Sequence, residues 1–133
     1  MTTVRVLSLI FVSLVLLPAA DVGAEDADAY RVELGKMTYR TYCALCHGMA
    51  PDTGLFADAL KKPAPDLTQI AKRNGGMFPE ERVKAIIRDG GVSGHGTMRL
   101  LSWERYFRQD TPPEHADEVI DNVTYYLQKH QAP

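Results

Sequence analysis

Apolar positions along the chain recur mostly at helical spacing, and good alternating strand patterns are absent. Residues 30–42 contain no proline and carry Val32, Gly35, Met37, Tyr39 and Tyr42 in a partly helical pattern, after an acidic lead-in at 25–28 that is either frayed or the first turn of a helix. A helix is expected there. Gly35 inside it costs about 1 kcal/mol against alanine, so its place calls for close packing. A loop is expected over 43–54 and a short helix over 55–61. The run Lys62-Pro63-Ala64-Pro65 ends that helix, because each proline biases its predecessor away from helix. Asp66 is set to cap a turn running to Ile70, and Asn74-Gly75-Gly76 breaks the chain. Pro79 at a first helical position, with Glu80 and Glu81 in the first turn, opens a helix with Val83, Ile86 and Ile87 on one face. Gly90-Gly91 ends it. A glycine-bearing loop over 91–101 and a short turn or helix over 103–108 follow. After Thr111-Pro112-Pro113, a last helix over 113–129 carries Val119, Ile120, Val123, Tyr126 and Leu127. The pattern predicts an all-α domain of four or five helices joined by long loops, without internal repeats.

The first 24 residues read differently. Arg5 precedes an apolar run over 6–17, and Pro18-Ala19-Ala20 and Val22-Gly23-Ala24 supply small residues. This is the pattern of a secretory signal peptide. Cleavage is expected after Ala24, with Ala20 as second choice, leaving a single domain over 25–133. The run of about 12 residues falls short of the roughly 20 that a spanning helix needs. The first cysteine is Cys43, too far along for a lipid anchor.

The chain has 133 residues, 45% hydrophobic and 24% charged, with a formal net charge of −2. Such a composition is globular, and no basic excess points to nucleic acid. Two cysteines cannot build a disulfide-dense scaffold. The functional question narrows to what those two do.

They stand in Cys43-Ala44-Leu45-Cys46-His47, a C-x-x-C-H motif. This is the attachment signature for c-type haem. Thiols one helical turn apart can add to two vinyl groups on neighbouring edges of the haem, and the adjacent histidine then supplies an imidazole to the iron. A thioredoxin-like pair would need a preceding strand and a βαβ neighbourhood, which the pattern lacks. Structural zinc would want four ligands, usually from two spaced pairs. A plain disulfide across two residues would constrain little.

With these residues in view the chain resembles the class I cytochromes c, small exported monohaem electron carriers. The resemblance runs over nearly all of 25–133. It rests on the Gly35 to His47 stretch, on Pro65-Asp66-Leu67-Thr68, on Gly75-Gly76-Met77-Phe78-Pro79 and on 121–127 with Tyr126-Leu127. It implies a haem c held by Cys43, Cys46 and His47, and first and last helices that cross where Gly35 lets Tyr126 or Val123 approach. It further implies a periplasmic electron carrier rather than an enzyme. Its partners would be an electron donor and a terminal reductase or oxidase, met through a weak, mainly apolar docking face. Lys61, Lys62, Lys72 and Arg73 are either steering charges or plain solvated surface.

The family closes iron coordination with a methionine, and the expected ligand here is Met98. The related bacterial pattern, methionine-proline with a tryptophan three residues after the methionine, aligns on Trp103 without a gap. It then puts Leu100 and Leu101 where methionine and proline would stand, and Met98 two residues early. His95 as ligand and an open sixth position are the alternatives, with Met77 and Met49 as remoter ones. An open or His95-ligated position would suit a gas-binding or sensor protein. A peroxidase would need a distal acid–base group, for which His95 is the one candidate. Trp103 is expected in the haem pocket, its indole N–H a candidate donor to a propionate. Tyr42, Leu67, Ile70, Phe78 and Ile87 are expected wall residues. Met77 is otherwise expected to pack beside Phe78, and His115 and His130 to face solvent.

Overall fold

Gly23, in extended backbone, stands before the first helix, α1 (Ala24–Thr38). The computed structural model describes residues 23–49, 52–92, 94–95, 103–110 and 112–133. Met98, Leu100, Leu101 and all of the expected leader before Gly23 lie outside the described residues. Glu25 and Asp26 in the first turn of α1 and Lys36 in the last match the helix dipole. The acidic lead-in is therefore helical, and the helix begins well before residue 30.

Nor does it stop at Tyr42. The chain passes into a π-helical turn, Tyr39–Cys43, in which the Ala44 N–H donates to the Tyr39 carbonyl, and then into α2 (Ala44–His47). Nothing between 24 and 47 ends a helix, since the stretch has no proline and one glycine. The expected loop thus starts only at Gly48, which has φ 72°. The extra residue of the π turn rotates everything after it by roughly 100° relative to an unbroken α-helix. The C-x-x-C-H motif so sits on a reset helical face.

The expected helix over 55–61 is reduced to a 3₁₀ turn, Ala57–Ala59. Leu55 and Phe56 are exposed, so this stretch has little apolar face to bury. A second 3₁₀ turn, Leu67–Gln69, is capped by Asp66 as expected and leads into α3 (Ile70–Arg73). Gly75 and Gly76 take φ of 68° and 89°, which breaks the chain. Helix α4 (Glu80–Asp89) starts one residue after Pro79 and ends at Gly90, with φ 75°. Helices α5 (Trp103–Asp110) and α6 (Pro113–Lys129) complete an all-α fold.

The most extensive packing joins α1 to α6. Gly35 lies directly against the Asn122 carbonyl and the Tyr126 side chain. One turn on, the ring of Tyr39 meets that of Tyr126 at 5.4 Å between centroids. Helices α4 and α5 pack on α6 and on each other. Val83, Ile87, Phe107, Ala116, Ile120, Val123 and Leu127 fill the space between them. Lys84 ties α4 to α6 through Asp121 at 3.0 Å and bonds Glu80 at 2.8 Å. Among the described residues, no helix is long and apolar enough to cross a membrane.

Candidate functional site

His47 ends α2, and its Nδ1 lies 2.8 Å from the carbonyl oxygen of Pro65. A carbonyl only accepts, so Nδ1 carries the proton and donates it. The lone pair is then on Nε2, the atom left for a metal. One backbone contact thus sets both tautomer and ring orientation.

The Pro65 carbonyl is itself held. The carboxylate of Asp66 accepts from the Thr68 N–H at 2.9 Å and the Thr68 hydroxyl at 2.8 Å. These bonds hold its pKa below the ordinary value, with a smaller contribution from Arg73. Arg73 Nη2 donates to the Asp66 carbonyl at 2.8 Å. The C-terminal tail secures the same segment. Gln131 Nε2 donates to the carbonyls of Leu67 at 2.9 Å and Leu127 at 2.7 Å, and its Oε1 accepts from the Ala71 N–H at 2.8 Å. The Ala132 N–H donates to the Thr68 carbonyl at 2.8 Å.

Cys43 and Cys46 are unpaired and each partly exposed. Although Cys43 is not fully covered, the protein crowded around its sulfur, and then the neighbouring Cys46, push its thiol up to about 12. The loop after His47 folds back onto the motif. A side chain at Gly54 would stand 2.6 Å from the carbonyl oxygens of both Leu45 and Cys46, and the Phe56 N–H bonds the Leu45 carbonyl at 2.8 Å. The Tyr39 hydroxyl donates to the Gly48 carbonyl at 2.8 Å, and burial raises that phenol to about 12.

His95 comes to the same place. Its ring stands 5.8 Å from that of His47 between centroids, with the two planes crossed at 71°. Its Nδ1 is buried and has no hydrogen-bond partner. Burial, and then the charge of His47, hold its pKa below the ordinary value. Among the described residues, no three or more of His, Cys, Asp and Glu come together in a group that could hold a metal ion unaided.

Tyr42, Cys43, Met49, Leu67, Ile70, Phe78 and Trp103 are half-buried and pack against the core, and Ile87 belongs to it. Trp103 faces Tyr42 at 5.8 Å and stacks on Phe107 at 6.0 Å between centroids. The five residues expected as wall from the sequence thus lie in or against the same core as Trp103. Met77 is not packed beside Phe78 as expected; it is 72% exposed, on a chain turned outward by Gly75 and Gly76. His115 and His130 are exposed, though the ring of His130 lies 4.1 Å from that of Tyr126. Lys61, Lys62 and Lys72 are solvent-exposed, while Arg73 is engaged with Asp66.

Pro65-Asp66 stands out in the sequence, but its contact with His47 does not. The contacting atom is a backbone carbonyl, and the one trace of it in the sequence is the capping aspartate that follows. Comparison with protein-family models, curated proteins and solved structures gives no match to this chain.

Proposed function

We propose that this protein is an exported one-electron carrier of the class I cytochrome c kind, working in the periplasm. Haem c is attached through Cys43 and Cys46, and His47 binds one face of the iron. The observation that carries this reading is the His47–Pro65 contact. It leaves Nε2 unprotonated on a residue that directly follows two unpaired thiols one helical turn apart. A structural disulfide would not need the histidine aimed in this way.

The donor set suits the group. Each thiol adds across one vinyl double bond: sulfur bonds one carbon, the proton goes to the other, nothing leaves and no oxidant is consumed. Bound haem supplies a ferric–ferrous couple. Tyr42, Leu67, Ile70, Phe78 and Trp103 provide half-buried apolar surface for a flat macrocycle, and Ile87 backs them from the core. Their exposure in a small domain is reasonable for residues that meet a cofactor as well as a core. The Pro65 carbonyl, held by Asp66 and Gln131, fixes the histidine against rotation.

Electrons enter and leave through partner proteins, a donor and a terminal reductase or oxidase. Leu45, Leu55 and Phe56 are exposed apolar residues beside the loop that folds on Cys46. Exposed apolar side chains here suit the weak, transient docking of redox encounters. The reading is tested by electrochemistry of the matured protein. A reversible one-electron wave at the potential where the haem spectrum changes supports it. A ferrous form that captures carbon monoxide at once, without stable cycling, would favour gas binding instead.

A further inference from the structure

The chain reaches the region beside His47 by a route of glycine turns. Gly90, Gly91 and Gly94 all take positive φ, at 75°, 83° and 88°. Residues with side chains rarely adopt this region, so the turns after α4 depend on glycine. The His95 N–H closes the turn on the Val92 carbonyl at 3.1 Å. These bends deliver an imidazole next to the imidazole of His47.

Two features of that imidazole are not those of an ordinary core histidine. Its buried Nδ1 has no hydrogen-bond partner, a costly state that native structures usually avoid. Its ring stands 5.8 Å from the His47 ring, at 71°. A metal–imidazole bond is about 2 Å long, so two imidazoles on one ion have centroids on the order of 6 Å apart. The histidine pair already has that spacing, with crossed planes that keep the rings clear of each other. Met98, the thioether expected from the sequence, stands two residues before the position that the resemblance gives the ligand.

Resting on the haem reading above, we infer that His95, and not Met98, supplies the second axial ligand, making the iron bis-histidyl. Two imidazoles favour ferric iron more than an imidazole–thioether pair does, since the thioether raises the potential. With both positions filled no site is left for a gas. The protein is then a carrier at the low-potential end of its class rather than the sensor that His95 ligation could also suit. His47 is fixed by Pro65, while His95 is fixed by its glycine turns.

The test uses matured holoprotein in three forms: unmodified, His95→Ala and Met98→Ala. Electron paramagnetic resonance and absorption spectra are recorded for each. Low-spin ferric iron with the signature of two imidazoles, and no sulfur-to-iron band, is expected for the unmodified protein and for Met98→Ala. His95→Ala should lose the low-spin signal, bind carbon monoxide when reduced, and regain low spin on addition of free imidazole. Should that variant fail to accumulate, His95→Met replaces it and should gain a sulfur-to-iron band with a raised potential. A sulfur-to-iron band in the unmodified protein that Met98→Ala abolishes overturns the inference, as does high-spin iron in the unmodified protein. Either result leaves covalent haem attachment standing. A chain that matures without haem removes the haem reading itself, and this inference with it.

Discussion

A Cβ placed on Gly35 would stand 2.7 Å from the Cβ of Tyr126, and closer still to the Asn122 carbonyl. The first and last helices therefore touch backbone to backbone at this residue. Neither obstacle is a flexible side-chain end, so Gly35→Ala must push α1 off α6. The expected cost is about 3 kcal/mol, the upper part of the usual range for overpacking. Met37→Ala, at an exposed position on the same helix, should change stability by less than about 0.5 kcal/mol. Denaturant titration of both variants checks the contrast. Equal effects would show that the close approach is not what stabilises the pair.

Asp66 acts on the histidine through the backbone it caps. Asp66→Ala should cost about 1 kcal/mol, as loss of a cap does, and should free Pro65 to move away from His47. The haem potential should then rise, because the imidazole donates less electron density once its N–H bond weakens. Asp66→Asn keeps a cap oxygen but removes the charge, and should keep most of the stability at neutral pH. The lowered pKa of Asp66 fixes the sign in acid. Its stabilisation is present above the ordinary carboxylate range and is lost as pH falls through the lower folded value. Acid titrations of the unmodified protein and Asp66→Asn should converge there.

Tyr39 sets an alkaline limit. Burial raises its pKa from 10.0 to about 12, so between those values the unfolded chain loses the proton and the folded one keeps it. Stability from this group is complete below pH 10 and lost as pH rises towards 12. Tyr39→Phe should lose about 1 kcal/mol at neutral pH with the bond to Gly48, and show a shallower alkaline decline. Melting temperatures across that window check it; identical slopes would contradict it.

Gln131 joins three backbone groups of two segments far apart in sequence. Gln131→Ala should cost about 2 kcal/mol, since the Leu67 carbonyl and the Ala71 N–H lose this partner and the Leu127 carbonyl keeps only the His130 N–H. It should also shift the haem potential in the same direction as Asp66→Ala. A stability loss without any shift would mean that the tail does not hold the Pro65 segment.

Much of the fold is legible in the sequence where punctuation is strong. The last helix, Pro113–Lys129, has its expected bounds, because prolines precede it and its apolar periodicity runs to Leu127. Asp66 caps as expected, and Gly35 marks the helix contact. Legibility fails where punctuation is missing or misleading. Between Ala24 and His47 the one signal of a continuing helix is the lack of a breaker, which does not place the end, and periodicity cannot foresee a π turn. The apolar content of 55–61 suggested a helix, but its large residues face solvent. At the site, C-x-x-C-H is plain to read. The meeting of His47 with His95 is not, because it depends on three positive-φ glycines whose turns no spacing encodes. The role of Pro65 is hidden for another reason: a carbonyl oxygen is common to every residue.

Covalent attachment of haem to Cys43 and Cys46 would show in the intact mass of the protein. The full chain is expressed with haem-maturation machinery, purified, and weighed after acidic organic extraction. The expected mass is that of residues 25–133 plus one haem, retained through extraction, with Cys43→Ser/Cys46→Ser losing that increment. The mass of the polypeptide alone, or lower by two hydrogens for a disulfide, would contradict it.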